Sequence, residues 1–306
     1  MKLTTMALGA SLMATICVSC VRTQTTTNFE DSVAVDSAAV GVDTREDDLN
    51  KSRTILYTLP APIEMASIIK ETGVRFDDQL LAPLSKSGKY STNLKMALNL
   101  GIYATDMSVS GMFSQSQRMV DYLNTLKTLT QKLGIVKVLD EDVVAKLERS
   151  DMSRQDALGV ISEVYMNTNQ YLAENNRRNI ATVVMTGAWV EGLYLALNLV
   201  DPDKLNADIV GRLVAQKLAM ATMLNIIDGM NADGSDEDLT YLRSKMDEIE
   251  VIFNAVELQK TGRVSAITDA DTRTTTIKAN MSGSIDKDVF LALKEKVSQV
   301  REEFTL

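Results

Sequence analysis

The sequence predicts an all-α fold, an antiparallel multi-helix bundle with a short irregular or β-like loop near the C-terminus. Three observations predict it. Only four prolines and 15 glycines interrupt 306 residues, while Leu, Ala and Met are plentiful; such residues lose little side-chain entropy in a helix. Apolar residues recur at spacings of three and four along most of the chain, the helical period. Finally, residues 180–200, IATVVMTGAWVEGLYLALNLV, form a nearly unbroken apolar run that holds the one tryptophan, Trp189. The amphipathic segments need such a helix to pack against. Its length would also suit a membrane span. Glu191 sits at its middle, where a charge in lipid is costly, so a buried bundle helix is the better reading.

The elements follow in order. Pro60 and Pro62 reset the chain before a short amphipathic segment from Ile63 to Gly73, and Phe76, Leu80, Leu81 and Leu84 suggest another, with Pro83 near its end. Two helical stretches occupy Ser91–Gly134, with Gly134 a natural C-terminal cap. In the first, Gly101, Ala104, Ser108 and Gly111 form a small-residue stripe; in the 180–200 run, Ala188, Gly192 and Ala196 form a second. The two stripes are expected to bring these helices into contact. A short helix over Asp140–Arg149 precedes one over Arg154–Asn175, for which Ser153 is a suitable cap. After the 180–200 run, Asp201-Pro202-Asp203 is a turn. Helices over Leu205–Met230 and Leu239–Lys260 follow, then a Thr- and Ser-rich loop over Arg263–Ile285 with at most a short strand pair. Asp286 starts a last helix that turns Val289, Leu293, Val297 and Val300 inward.

Composition excludes several functions. The net charge is -9, which argues against electrostatic nucleic-acid binding, since that needs a basic face. The chain has no histidine. A Ser-His-Asp or Cys-His site is therefore impossible within it, and the usual zinc and copper sites lose their commonest ligand. The 16 methionines are spaced as core residues rather than in clusters. No cofactor, metal site or catalytic residue is predicted.

The N-terminus reads as an export signal. Lys2 precedes a short apolar stretch, Met6–Val18, and Cys17-Val18-Ser19-Cys20 resembles a bacterial lipobox. The expected organisation is a signal peptide over 1–19, a polar tether over 20–52 beginning at a lipidated Cys20, and one helical domain over 53–306. Cys17 leaves with the signal, so the mature chain keeps a single cysteine and cannot form an internal disulfide. Several acyl chains on Cys20 would give a stable anchor. Val21-Arg22-Thr23-Gln24 lacks the acidic cluster that marks surface-exported lipoproteins, which favours the periplasmic face of the outer membrane.

Two internal features invite a functional reading. Residues 231–238, NADGSDED, look calcium-like, but the EF-hand spacing fails because Met230 and Ala232 fall at ligand positions; a turn before an acidic helix start explains them. Asp106 and Glu191 are the ionisable residues set in the most apolar surroundings. Each is expected to find a structural partner among Asn, Ser, Tyr or Arg side chains; a paired-carboxylate enzyme is the alternative.

Ala97-Leu-Asn-Leu-Gly-Ile-Tyr-Ala-Thr-Asp-Met-Ser108, continuing through Gln115 to Gly134, and Gly187-Ala-Trp-Val-Glu-Gly-Leu-Tyr194 resemble segments of uncharacterised helical lipoproteins of Bacteroidetes. The resemblance implies an exported, mostly helical protein and assigns no catalytic residue. The expected role is a lipid-anchored scaffold, accessory or binding subunit with an envelope protein partner. The alternatives are a binder of a small hydrophobic or peptide ligand, which needs an apolar cavity of roughly 300 Å³ or more, and a carboxylate-based envelope enzyme, which needs Asp106 and Glu191 in one open pocket.

Overall fold

The apolar run becomes the central helix. In the computed structural model, residues 66, 69–70, 73–135, 141–147, 154–205, 207–260, 265–269, 274–278 and 281–306 are described. All belong to one of the two units into which the chain divides, Asp43–Leu306. The helices are α1 (Asn93–Met112), α2 (Ser116–Lys132), α3 (Glu141–Leu147), α4 (Arg154–Glu174), α5 (Arg178–Leu199), α6 (Ala207–Met230), α7 (Glu237–Phe253) and α8 (Lys287–Thr305). The fold is all-α. The most apolar stretch of α5 has a mean hydropathy of 1.5, enough in length and composition to cross a membrane, yet 94% of it is buried inside the protein.

Local signals set the helix ends. Thr92 accepts a hydrogen bond from Lys95 N–H at the start of α1, and Asp236 accepts one from Leu239 N–H at the start of α7; each satisfies a donor that the first turn leaves unpaired. Ser114, at φ 59°, separates α1 from α2, so Ser91–Gly134 is two helices rather than one bent one. Gly134, at φ 70°, follows α2 as the sequence predicts. The cap expected at Ser153 lies outside the described residues.

Helix α7 ends at Phe253, short of the Lys260 that the sequence suggests. Asn254, Ala255 and Val256 turn back with hydrogen bonds to Glu250, Ile252 and Phe253 carbonyls. Glu257–Lys260 is instead a strand (β1), paired antiparallel with Met281–Ser284 (β4) from Glu257↔Ser284 to Lys260↔Met281. Ser265–Asp269 (β2) and Thr274–Lys278 (β3) pair likewise. Pairing across this segment overrides a composition that would have tolerated more helix.

Helices α5 to α8 are joined by polar and aromatic contacts. Trp189 on α5 donates its indole N–H to Gln216 on α6 at 3.0 Å and packs its ring against Phe253 on α7 at 6.3 Å between centroids. Lys245 bridges Glu248 and Glu303, and Lys296 reaches Glu248, joining α7 to α8.

Helices α1 and α5 cross in close contact. A Cβ on Gly101 would lie 2.0 Å from the Val184 carbonyl oxygen and 2.6 Å from the Ala188 nitrogen, and one on Gly187 would lie 2.2 Å from the Leu98 carbonyl oxygen. Backbone meets backbone there, and no side chain fits. Thr105 adds a hydrogen bond to the Ala188 carbonyl at 3.2 Å. The two helices touch as expected, through a partly different set of small residues: Gly101 and Ala188 belong to the predicted stripes. Gly187 takes part although it lies outside the predicted stripe, whereas Gly111 faces Met119 of α2 and Leu158 of α4. Leu98 lies beside Gly187 and Gly101 between Val184 and Ala188, while Thr105 reaches Ala188. From Leu98 at Gly187 to Asp106 at Glu191 the paired positions advance on both helices, so α1 and α5 run in the same direction, an exception to the expected antiparallel neighbours.

Gly101→Ala and Gly187→Ala should each cost at least the about 1–3 kcal/mol of ordinary overpacking, because the obstacle is backbone. A methyl group placed on Gly159 of α4 would have nothing within 4 Å. Gly159→Ala should therefore be neutral or stabilising by about 0.5–1 kcal/mol. Urea unfolding of the three variants checks this; equal effects at Gly101 and Gly159 would contradict the close crossing.

Candidate functional site

Asp106 on α1 and Glu191 on α5 are both fully buried, at 0% exposure. The crossing of these helices brings the two carboxyl groups within hydrogen-bonding reach of each other. The two acidic residues that stand out in the sequence thus form one site.

Its third member is Arg301, on α8. The guanidinium grips Glu191 with two hydrogen bonds, Nε to Oε2 at 2.8 Å and Nη2 to Oε1 at 3.0 Å. This is the bidentate arrangement in which an arginine–carboxylate pair is strongest. The Arg301 guanidinium also lies over the Tyr194 ring, 4.5 Å from its centroid. Burial works against its charge, but Glu191, with Asp106 behind it, outweighs that cost and holds the pKa up. Sequence reasoning misses Arg301. A signal exists: Leu293, Val297 and Arg301 are spaced by four, which continues the buried stripe of α8 by one turn.

A strap of chain, residues 77–90, closes the site. It comprises two short 3₁₀ turns, Asp78–Leu80 and Leu84–Lys89, joined by extended residues. Four inward-facing side chains hold its backbone. Asp106 Oδ2 accepts from Ala82 N–H at 2.9 Å, and Arg301 Nη2 donates to the Leu80 carbonyl at 3.2 Å. The Tyr122 hydroxyl donates to the Ala82 carbonyl at 2.7 Å, and the Tyr103 hydroxyl to the Pro83 carbonyl at 3.1 Å. These contacts answer the demand that buried backbone groups find partners. With the strap in place, Asp106 and Glu191 have no access to solvent.

Asp106 Oδ1 receives no hydrogen bond from any donor. Burial first, and the neighbouring Glu191 charge second, push the Asp106 carboxyl well above its ordinary value of 3.8, against the opposing pull of Arg301 and the Ala82 N–H. One proton on Asp106, directed at Glu191, resolves both facts: the orphan oxygen becomes a donor, and two carboxyls with one guanidinium become neutral overall. Burial also raises the hydroxyl pKa values of Tyr103 and Tyr122.

The remaining sequence candidates fall elsewhere. Cys20 lies outside the described residues. The calcium-like segment is a turn that satisfies itself: Asp233 Oδ1 accepts from the Ser235 N–H and hydroxyl, and Asn231 exchanges hydrogen bonds with the Asp236 backbone. Met96, Met107, Met119, Met185, Met220, Met223 and Met246 fill the core. A cavity of about 410 Å³ lies between the strap and α2, lined by Asp78, Gln79, Ser85 and Arg118 beside Leu81 and Tyr122. Comparison with protein-family models, curated proteins and solved structures finds no match to the chain.

The three residues of the site should respond unequally to substitution. Glu191→Gln and Arg301→Met each strand a buried charge and should cost about 3–5 kcal/mol, while the double variant should recover part of that loss. Asp106→Asn copies the protonated carboxyl and should be neutral or stabilising at neutral pH. Denaturant unfolding decides, and a loss at Asp106→Asn as large as at Glu191→Gln would mean that Asp106 is ionised. The sign with pH follows from linkage. The folded pKa of Asp106 is raised, so its contribution is largest below 3.8 and declines as pH rises toward the folded value. The Asp106→Asn variant should lack this decline.

Proposed function

We propose that the chain is a lipid-anchored envelope protein that acts as a non-enzymatic accessory, scaffold or binding subunit. The observation that carries this reading is the closure of the Asp106–Glu191 site. The carboxyl groups best suited to acid–base chemistry face each other, Arg301 and the strap backbone, with no surface left for a substrate. General acid–base catalysis needs its group within reach of the proton it moves. The lipobox-like Cys17–Cys20 and the polar segment after it support the anchor, and the resemblance to helical Bacteroidetes lipoproteins supports export to the envelope.

Contacts with an envelope partner would then use outer helix faces. Leu218 on α6, Val251 on α7 and Leu291 on α8 are large apolar side chains exposed by 46%, 72% and 41%. A second reading, ligand binding, draws on the 410 Å³ cavity, whose size is in the range of small-molecule sites. Its polar rim departs from the apolar cavity expected of a hydrophobic-ligand binder.

The test compares wild type with Cys20→Ala and with Val251→Lys. Mass spectrometry of the N-terminal peptide should find Cys20 acylated, and Cys20→Ala should move the protein from the membrane to the soluble fraction. In-cell crosslinking should recover a reproducible envelope partner from wild type, and at least about tenfold less of it from Val251→Lys, the size of loss that a central contact residue produces. Unmodified Cys20, or a small molecule retained on the purified protein with no protein partner, would overturn the reading.

A further inference from the structure

The strap is held differently from the rest of the bundle. Leu81 and Ala82 are buried, yet the strap backbone is fixed by polar atoms at the charged site: Ala82 N–H on Asp106 and the Leu80 carbonyl on Arg301. Beside it, toward α2, lies a cavity of about 410 Å³, so the strap is not tightly packed on that side. Gly73, at φ 74°, precedes the strap and Gly88 lies near its end, both with open space around them.

The closed arrangement has a proton requirement. Glu191 has both oxygens on Arg301. Asp106 has one oxygen on Ala82 and the other without a donor, against Glu191. Without a proton, two sealed anions would share one guanidinium, and a single N–H cannot replace the hydration that the second anion loses. The strap lies directly on Asp106, through the Ala82 N–H, and leaves it no exposure to water. We propose that residues 77–90 are a proton-coupled latch: the strap closes with one proton held on Asp106 against Glu191 and opens with release of that proton to solvent, so rising pH favours the open strap.

The tyrosines and the arginine facing Asp106 do not titrate in its place. Tyr103 on its own helix, Tyr122 on α2, Tyr90 at the end of the strap and Tyr194 on α5 are all shifted upward by burial and stay neutral through the working range. Arg301 stays charged. Glu191 has both oxygens on the Arg301 guanidinium.

Hydrogen exchange on the full chain tests the latch. Protection of the backbone amides at residues 80–82, corrected for the intrinsic base-catalysed rate, is followed from about pH 5 to about pH 8. Opening that releases one proton should lower protection by up to about tenfold per pH unit. The amides of α1 and α5 should show no such slope, and Asp106→Asn should flatten it at the strap. No slope in wild type overturns the latch. So does a slope that persists in Asp106→Asn, or one shared by α1 and α5, which would report global unfolding. Should Asp106→Asn fail to fold, carbon NMR of labelled aspartate in the wild type still decides: a buried carboxyl that stays protonated at neutral pH supports the latch, and one already ionised at about pH 6 overturns it.

Discussion

A single ion pair ties the distant parts of this fold together. Helix α5 is apolar enough to sit in a core along most of its length, and Glu191 at its middle is fully buried. A lone carboxylate there would cost several kcal/mol. Arg301, 110 residues later in the chain, meets it with a bidentate grip and reaches on to the Leu80 carbonyl. The last helix must therefore dock before the central helix can be buried without penalty, and the strap closes on the same guanidinium. Such a contact, far apart in sequence, couples the start, the middle and the end of the described domain.

A buried ion pair is a poor source of raw stability compared with well-packed apolar groups. Its use here is better explained by register. The inward stripe of α8, Leu293, Val297 and Val300, repeats at helical spacing and would tolerate a slip of one turn along its neighbours. Arg301 opposite Glu191 would not. The crossing of α1 and α5 is fixed by a different device. Only where Gly101 and Gly187 fall can the two backbones approach so closely. That crossing in turn places Asp106 against Glu191. Small residues set one helix pair, opposite charges set another, and both conditions meet at the same buried carboxyls.

These two devices differ in how well they show in the sequence. Asp106 and Glu191 stand out because each is a charge among apolar residues at helical spacing, and the structure brings them together. Arg301 does not, since α8 is amphipathic and rich in charges, and the turn that faces inward is settled by packing. The strap is unreadable for another reason: its 3₁₀ turns have no period, and what holds it are backbone atoms of Leu80, Ala82 and Pro83, which carry no side-chain code. The helix contact is legible in two small-residue stripes, but spacing alone points to Gly111 and misses Gly187, because which small residue meets backbone depends on the crossing geometry. At the end of α7, helix propensity carries the reading past Phe253, where pairing of Glu257–Lys260 with Met281–Ser284 prevails.

The closed site bears on function through a simple competition. A carboxyl can serve chemistry only if a substrate displaces whatever satisfies it in the resting protein. Asp106 is satisfied by a main-chain N–H and by Glu191, and Glu191 by both arms of the Arg301 fork; a substrate would have to break two charge-assisted contacts and a main-chain hydrogen bond, and remove the strap, before meeting either. Charge-assisted bonds of this kind are about twice as strong as neutral ones. Asp106, Arg301, Tyr122 and Tyr103 hold the strap by its backbone, so changes to the exposed side chains of Gln79 or Ser85 leave that hold intact. The outer face of the strap and its cavity can therefore change in surface chemistry without disturbing the Asp106, Glu191 and Arg301 contacts beneath it.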